Sequence, residues 1–144
     1  MKIVKALAPQ APMLSWLDQT RPFSAHWGLC AWQDELALPA SRVWYAEEEG
    51  QIIGFIALRG AVGDYEITNL AVAASRCRQG IGRRLVAHVL DELKKEGASQ
   101  LTLEVSAANV PAQRLYQQAG FHPLGVRKQF YKDGSDALLW GINL

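Results

Sequence analysis

The sequence predicts an α/β protein built on a mixed, mostly antiparallel sheet, and three observations carry that expectation. Between residues 42 and 72 the runs "RVWYAEEEGQIIGFIALRG" and "DYEITNLAV" read as three strands around turns at Gly50 and Gly60 to Gly63, an antiparallel meander. From Gly80 the apolar period lengthens to three and four residues, as in an amphipathic helix, and at Gln100 it returns to two. A strand, a helix and a strand in that order imply a parallel crossover. The length of 144 residues suits one domain over 1–144, able to bury roughly 70% of its unfolded surface without a disulfide or metal staple.

Each element follows from local chemistry. "KIVKAL" opens the chain as a short strand, and helical material is expected from about Pro12 to Asp18, where Met13, Leu14, Trp16 and Leu17 are apolar. "TRPF" breaks it, and a second helix is expected from Ser24, read as an N-cap, to about Leu36. After the meander, Ile81, Leu85, Val86, Val89, Leu90 and Leu93 line one face of a helix that Gly97 ends as a left-handed cap. In "QLTLEVS" Leu101, Leu103 and Val105 share one strand face, so Glu104 lies on the other with Thr102. Asn109 is suited to cap a further helix with Pro111 in its first turn and Gly120 at its end. "RKQFYKDGSDALLWGINL" then reads as two β-rich runs about an Asp133-Gly134 turn.

The formal net charge is +1 and the apolar fraction 49%, which excludes disorder and a generally basic nucleic-acid surface. There is no basic stripe and no RRM, KH or double-stranded-RNA signature, so no nucleic-acid partner is expected. The longest apolar run, "IIGFIAL", is too short for a membrane span, and the N-terminus carries no export pattern. Cys30 and Cys77 form neither a CxxC pair nor a ligand cluster with histidine, so no metal and no disulfide framework is expected, and a reducing cytoplasm fits. His26, His88 and His122 are scattered and are assigned to packing or surface.

"RCRQGIGRRL" carries the functional signal. A dinucleotide fingerprint would need a third glycine where Leu85 stands, and a P-loop would need four residues between its glycines followed by Lys-Ser/Thr. Neither pattern is met. What remains is a strand, a short connection and the bare N–H groups of a helix N-terminus, a ready site for a pyrophosphate. Glycine at 80 and 82 removes the Cβ from the phosphate's approach.

Cys77 to Gly82 resembles the Q/R-x-x-G-x-G/A acetyl-CoA loop of the GCN5-related N-acetyltransferases (GNAT). "ITNLAV", "LEVSAANVPAQRLYQQAGF", "YKDGSDALLW" and "FSAHWGLCAWQDEL" extend the likeness over about residues 20 to 144, toward the RimI branch, which acetylates the N-terminal alanine of ribosomal protein S18. Cys77 departs from the pattern, which has Gln or Arg there; the main-chain donors survive that change.

The resemblance implies the GNAT fold, a sheet splayed near the ends of "ITNLAV" and "LEV" with acetyl-CoA entering from one side and the peptide from the other. It implies that Arg78, Gln79, Gly80, Ile81, Gly82 and Arg83 receive the diphosphate, with Arg83 favoured over Arg84 among the side chains. Main-chain groups of Leu70, Ala71 and Val72 would pair with pantetheine as an added strand does. Asn109 would add a hydrogen bond to the pantetheine arm while remaining a helix cap. Glu104 would accept a proton, directly or through water, where the motif-free reading is a solvated carboxylate. Tyr116, two helical turns after Asn109, would donate one to the departing sulfur, where the motif-free reading is a packed tyrosine. Trp27 and Tyr131 are core candidates by composition and peptide-groove candidates by resemblance.

Acetyl transfer to an amine needs a neutral nucleophile, a polarised thioester and a proton for the thiolate. Holding an amine neutral at pH 7 costs a lysine roughly 4 kcal/mol and an α-amine about 1, so a weak base suffices for a protein terminus. The expected reaction is direct transfer from acetyl-CoA to a protein N-terminal amine, first of all that of S18, without a covalent enzyme intermediate. A small-amine acetyltransferase of the same fold and a non-catalytic acyl-CoA-binding module are the competing readings. Core motifs fix the donor, and the acceptor is chosen in residues 20 to 40 and 123 to 135.

Overall fold

The computed structural model describes residues 1–144 as seven strands and four α-helices. In chain order these are β1 (Lys2–Lys5), α1 (Ala11–Thr20), α2 (Leu29–Ala37), β2 (Ser41–Glu48), β3 (Gln51–Ala61), β4 (Asp64–Val72), α3 (Ile81–Lys95), β5 (Gln100–Ser106), α4 (Val110–Gln118), β6 (His122–Arg127) and β7 (Ala137–Asn143). All seven strands join one sheet in the order β1-β2-β3-β4-β5-β7-β6. Only β4 and β5 run parallel. The mixed, mostly antiparallel sheet and its meander are therefore as expected, with β1 added to the meander's outer edge.

Strand alternation sorts the core into two layers. Val43, Tyr45, Phe55 and Ala57 face α1 and α2, packing with Leu14, Leu17 and Trp32. Their neighbours Trp44, Ala46, Ile56 and Leu58 face α3, with Leu85, Val86, Val89 and Leu93. The six apolar residues predicted on α3 are all buried, and each contributes on the order of 1.5–3 kcal/mol by leaving water. Gly97 ends α3 at φ +77°, with Gly97 N–H bonded to Lys94 O and Ala98 N–H to Leu93 O, a Schellman cap. Glu49 and Gly50 both take positive φ, the mirror-image turn that matches strand twist in a two-residue hairpin.

The sheet opens in its middle. β4 pairs with β5 only from Asp64↔Gln100 to Ile67↔Leu103, while β5 stays paired with β7 as far as Ser106↔Ala137. On its other side β4 slips by one residue, because Ala57 opposes Asn69 and Leu58 opposes Ile67, leaving Thr68 as a bulge. A bulge bends its strand and resets its facing. Tyr65 and Ile67 pack on the α3 layer, and after Thr68 it is Leu70 and Val72 that do so, turning Asn69 and Ala71 to the α1 side. The splay expected near "ITNLAV" and "LEV" sits at this bulge.

Two expectations are corrected. Ser24 does not cap a helix: α2 begins at Leu29 after Gly28, because the backbone N–H groups of His26 and Trp27 are drawn onto the Asp18 carboxylate and His26 is held at φ +59°. At the C-terminal end the first β-run lies earlier than "RKQFY", at His122–Arg127, and residues 128 to 136 form a loop. Local side-chain bonds outcompete a ladder there: Asp136 Oδ1 accepts from Gln129 N–H, and Asp133 Oδ1 from both the N–H and the hydroxyl of Ser135.

Candidate active site

Where β4 and β5 part, a cleft of about 610 Å³ opens between the two layers. Five of the residues singled out in the sequence line it: Leu70, Glu104, Asn109, Tyr116 and Tyr131. Glu104 projects from β5 opposite the Leu101–Leu103–Val105 stripe, and its carboxylate is about a quarter exposed with Arg127 Nη2 at 3.3 Å from Oε1. Tyr116 is buried on α4, edge-on to Phe121 at 5.5 Å, and burial pushes its phenol well above the ordinary tyrosine range. Such a phenol stays protonated and serves as a donor. Burial, and then the negative charges of Glu104 and Asp133, also raise the Tyr131 phenol. The cleft therefore brings the carboxylate of Glu104 and the protonated phenol of Tyr116 to one place, with Tyr131 and Asp133 also in its lining.

Asn109 caps α4 as expected, its Oδ1 accepting from Ala112 N–H at 3.3 Å. The turn before it is knitted by Ser106, whose hydroxyl bonds Ser135 and Ala108 N–H, and by Gln113, which donates to the carbonyls of Ser106 and Ala107. Beyond Ile67, the β4 edge facing β5 has no strand partner, so the main chain from Thr68 to Val72 is available to an extended ligand of amide character. Leu70 and Val72 are packed on one core layer and Ala71 on the other.

The glycine loop leads from this edge into α3. Arg78 at φ +64° and Gly80 at φ +78° bracket Gln79, curling the chain before Ile81. The first intrahelical bond is Arg84 N–H to Gly80 O, which leaves the N–H groups of Ile81, Gly82 and Arg83 ahead of the helical ladder. A Cβ at Gly80 would meet nothing within 4 Å, so this backbone faces open space. Gly82 has a different reason to be small: its Cβ would stand 3.3 Å from Leu115 Cδ2 and 3.8 Å from Val72 Cγ2, where α3 closes on α4. Packing of α3 on α4 thus asks for a small residue at Gly82 independently of any phosphate.

Among the loop's side chains, Arg83 bonds Gln118 Oε1 on α4. Arg76 is held by Gln79 Oε1 at 3.0 Å and Glu48 Oε1 at 2.7 Å. Cys77 is exposed, its sulfur 3.5 Å from Ala73 O and 3.6 Å from Arg21 Nη2.

Of the two peptide-groove candidates, Tyr131 lines the cleft and Trp27 lies apart from it. Trp27 packs edge-on against Trp32 at 5.0 Å, in the α1–α2 layer. Its neighbours Pro22 to His26 line the cleft instead, together with Asn69, Lys132 and Asp133. All but Asn69 fall within residues 20 to 40 and 123 to 135, where the acceptor is expected to be chosen, though no pattern there singles any of them out as a site residue. Ser24 looked like a cap, His26 like a stray surface residue, and the bulge that brings Asn69 inward depends on strand register.

Comparison with known proteins agrees with this fold. The model of the acetyltransferase (GNAT) family matches residues 10–121. A Bacillus subtilis protein provisionally named ribosomal protein bS18-alanine N-acetyltransferase is 32% identical over 124 residues, covering 85% of this chain and 82% of its own. The crystal structure of the ribosomal-protein-S18-alanine N-acetyltransferase of Escherichia coli superimposes with a TM-score of 0.89 at 26% identity, covering 99% of this chain and 92% of that one. A Bacillus anthracis protein provisionally named streptothricin acetyltransferase, solved in complex with acetyl coenzyme A, superimposes with a TM-score of 0.68 at 26% identity over 77% of this chain and 66% of its own.

Proposed function

The chain belongs to the acetyltransferase (GNAT) family, and from that premise we propose that it moves the acetyl group of acetyl-CoA to a protein N-terminal α-amine, that of the terminal alanine of ribosomal protein S18. The observation that carries this reading is the meeting of Glu104 and Tyr116 in one cleft beside an unpaired strand edge and an open helix N-terminus.

In this reading the diphosphate of acetyl-CoA rests on the main-chain amides from Arg78 to Arg83, and the pantetheine arm pairs along Leu70 to Val72 with Asn109 beside it. The amine nitrogen attacks the thioester carbonyl, forming the C–N bond as the C–S bond breaks. Glu104 takes the amine's proton and Tyr116 gives its own to the leaving thiolate; the turnover closes when the proton on Glu104 is released to solvent and the Tyr116 phenolate regains one, restoring both groups. Transfer is direct, since neither cysteine lines the cleft. The S18 acceptor is supported by the relatives' names and by the modest basicity an α-amine demands of its base. The site of action is then the cytoplasm; no helix is long and apolar enough to cross a membrane.

The test is to offer the protein acetyl-CoA with a hexapeptide of the S18 N-terminus and, separately, with spermidine, a free amino acid and an aminoglycoside. Gain of one acetyl group on the peptide's terminal nitrogen, faster than on any small amine, is the expected result. Equal or faster turnover of a small amine overturns the S18 acceptor while leaving the donor chemistry standing.

A further inference from the structure

Asp18, on the last turns of α1, is completely buried, and the proposed reaction has no use for it. Four N–H groups converge on its carboxylate. His26 N–H donates to Oδ1 at 2.9 Å, while Trp27 N–H at 2.8 Å, Trp32 Nε1–H at 3.1 Å and Asn69 Nδ2–H at 2.9 Å donate to Oδ2. Asn69 is buried as well, and its Oδ1 accepts from Ala25 N–H at 3.0 Å. Two side chains 51 positions apart thus take the backbone donors of three consecutive residues, Ala25 to Trp27.

A buried acidic group without a cation is a costly component of a core, tolerated when hydrogen bonds satisfy it. What it obtains here is a fixed path for the connection between α1 and α2. That path is not one the chain adopts freely, because His26 sits in the left-handed region at φ +59°, a conformation that persists only where surroundings over-determine it. Ser24 Oγ adds a bond to Asp18 O at 2.8 Å, and Gln19 Nε2 one to His26 O at 2.8 Å. Ser24 to His26, so fixed, belong to the wall of the cleft that Pro22 to His26 contribute from the α1–α2 side of the sheet, whereas α3, with the donor loop at its N-terminus, packs on the other side. Asn69 reaches Asp18 only because the Thr68 bulge turns it that way. The same bulge that opens the sheet therefore ties the wall to the opening.

We infer that Asp18 and Asn69 are positioning residues for the acceptor: by clamping the Ala25–Trp27 peptide groups they set the wall against which the incoming amine is held. The inference rests on the acetyl-transfer reading above, with the acceptor entering from the α1–α2 side. Its signature is a rise in acceptor KM with donor affinity and kcat left alone.

The experiment uses full-length Asp18→Asn, which keeps the size but puts an amide NH₂ against an N–H donor. Loss of one hydrogen bond to a charged group predicts an acceptor KM raised about tenfold, with acetyl-CoA KM and kcat within about twofold of wild type. Amide exchange is expected to speed up at Ala25 to Trp27 and to stay unchanged in α3. Asn69→Ser, which spares three of the four donors to Asp18, should move acceptor KM the same way by less, and it decides the matter if Asp18→Asn does not fold. An unmoved acceptor KM, or a parallel change in kcat and both KM values, overturns the inference. The S18 acceptor is judged separately, by whether wild type acetylates the hexapeptide; should it take only a small amine, the same split is read with that amine.

Discussion

Arg127 Nη2 lies 3.3 Å from Glu104 Oε1, so a cation at the end of β6 already pairs with the carboxylate proposed to take the amine's proton. The guanidinium is about half exposed and also covers the Phe130 ring at 5.6 Å. An ion pair so open to solvent is worth at most about 1 kcal/mol, which makes it displaceable. Arg127→Gln is expected to lower acceptor KM by a few-fold at low salt, and the gain should shrink as salt is added. Steady-state kinetics at two ionic strengths checks this.

Glu104→Gln keeps the side chain's shape and removes its basicity. Transfer to an N-terminal peptide is expected to slow by about 10²-fold or more, as for loss of a general base, while calorimetry shows acetyl-CoA binding unchanged. A variant that transfers as fast as wild type would return Glu104 to the role of a solvated strand carboxylate and favour a binding module.

Tyr116 gives a prediction with a definite sign in pH. Burial raises its phenol above the ordinary value of 10.0, so the protonated form persists through neutral and mildly alkaline solution, and kcat should show no loss of the proton donor below about pH 10. Since the folded chain holds this proton more tightly than the unfolded one, the stabilisation is present below pH 10 and is lost as pH rises beyond it. Tyr116→Phe should cut kcat and flatten the alkaline fall of thermal stability. Part of that fall remains, because Tyr131 is shifted in the same direction.

Gly80 and Gly82 should respond differently to alanine. Gly80→Ala forces a Cβ into φ +78°, costing roughly 1–2 kcal/mol, and should weaken acetyl-CoA binding through the altered loop. Gly82→Ala presses on the tip of Leu115 but gains helix propensity of about 1 kcal/mol, so melting temperature should barely move. Paired melting curves and acetyl-CoA titrations separate the two.

The parts of this fold written in local periodicity were readable before the structure. The buried stripe of α3, the outward facing of Glu104, the Asn109 cap and the glycine stop at Gly97 each depend on residues within a few positions of one another. β6 escaped because every residue in it is exposed: an edge strand with no buried face has no alternation to read. Ser24 was misread because a cap-forming residue is equally suited to bond a distant carbonyl, here Asp18 O. The segment proposed as the acceptor wall lies within residues 20 to 40, but how it is held was invisible for a related reason. It depends on a one-residue slip at Thr68 and on a contact between Asp18 and Asn69, neither of which leaves a periodic trace. Trp27 shows that likeness to a family locates a segment better than the direction of each side chain in it.

The early end of β4–β5 pairing at Ile67 and Leu103 leaves a seam in the middle of the molecule that the proposed acyl donor would complete. Folding and donor supply would then be thermodynamically linked. At a concentration 100 times its dissociation constant a ligand specific to the folded form adds about 2.7 kcal/mol of resistance to unfolding. The protein's lifetime in a cell would then track the acetyl-CoA pool, lengthening in well-fed conditions and shortening in starvation.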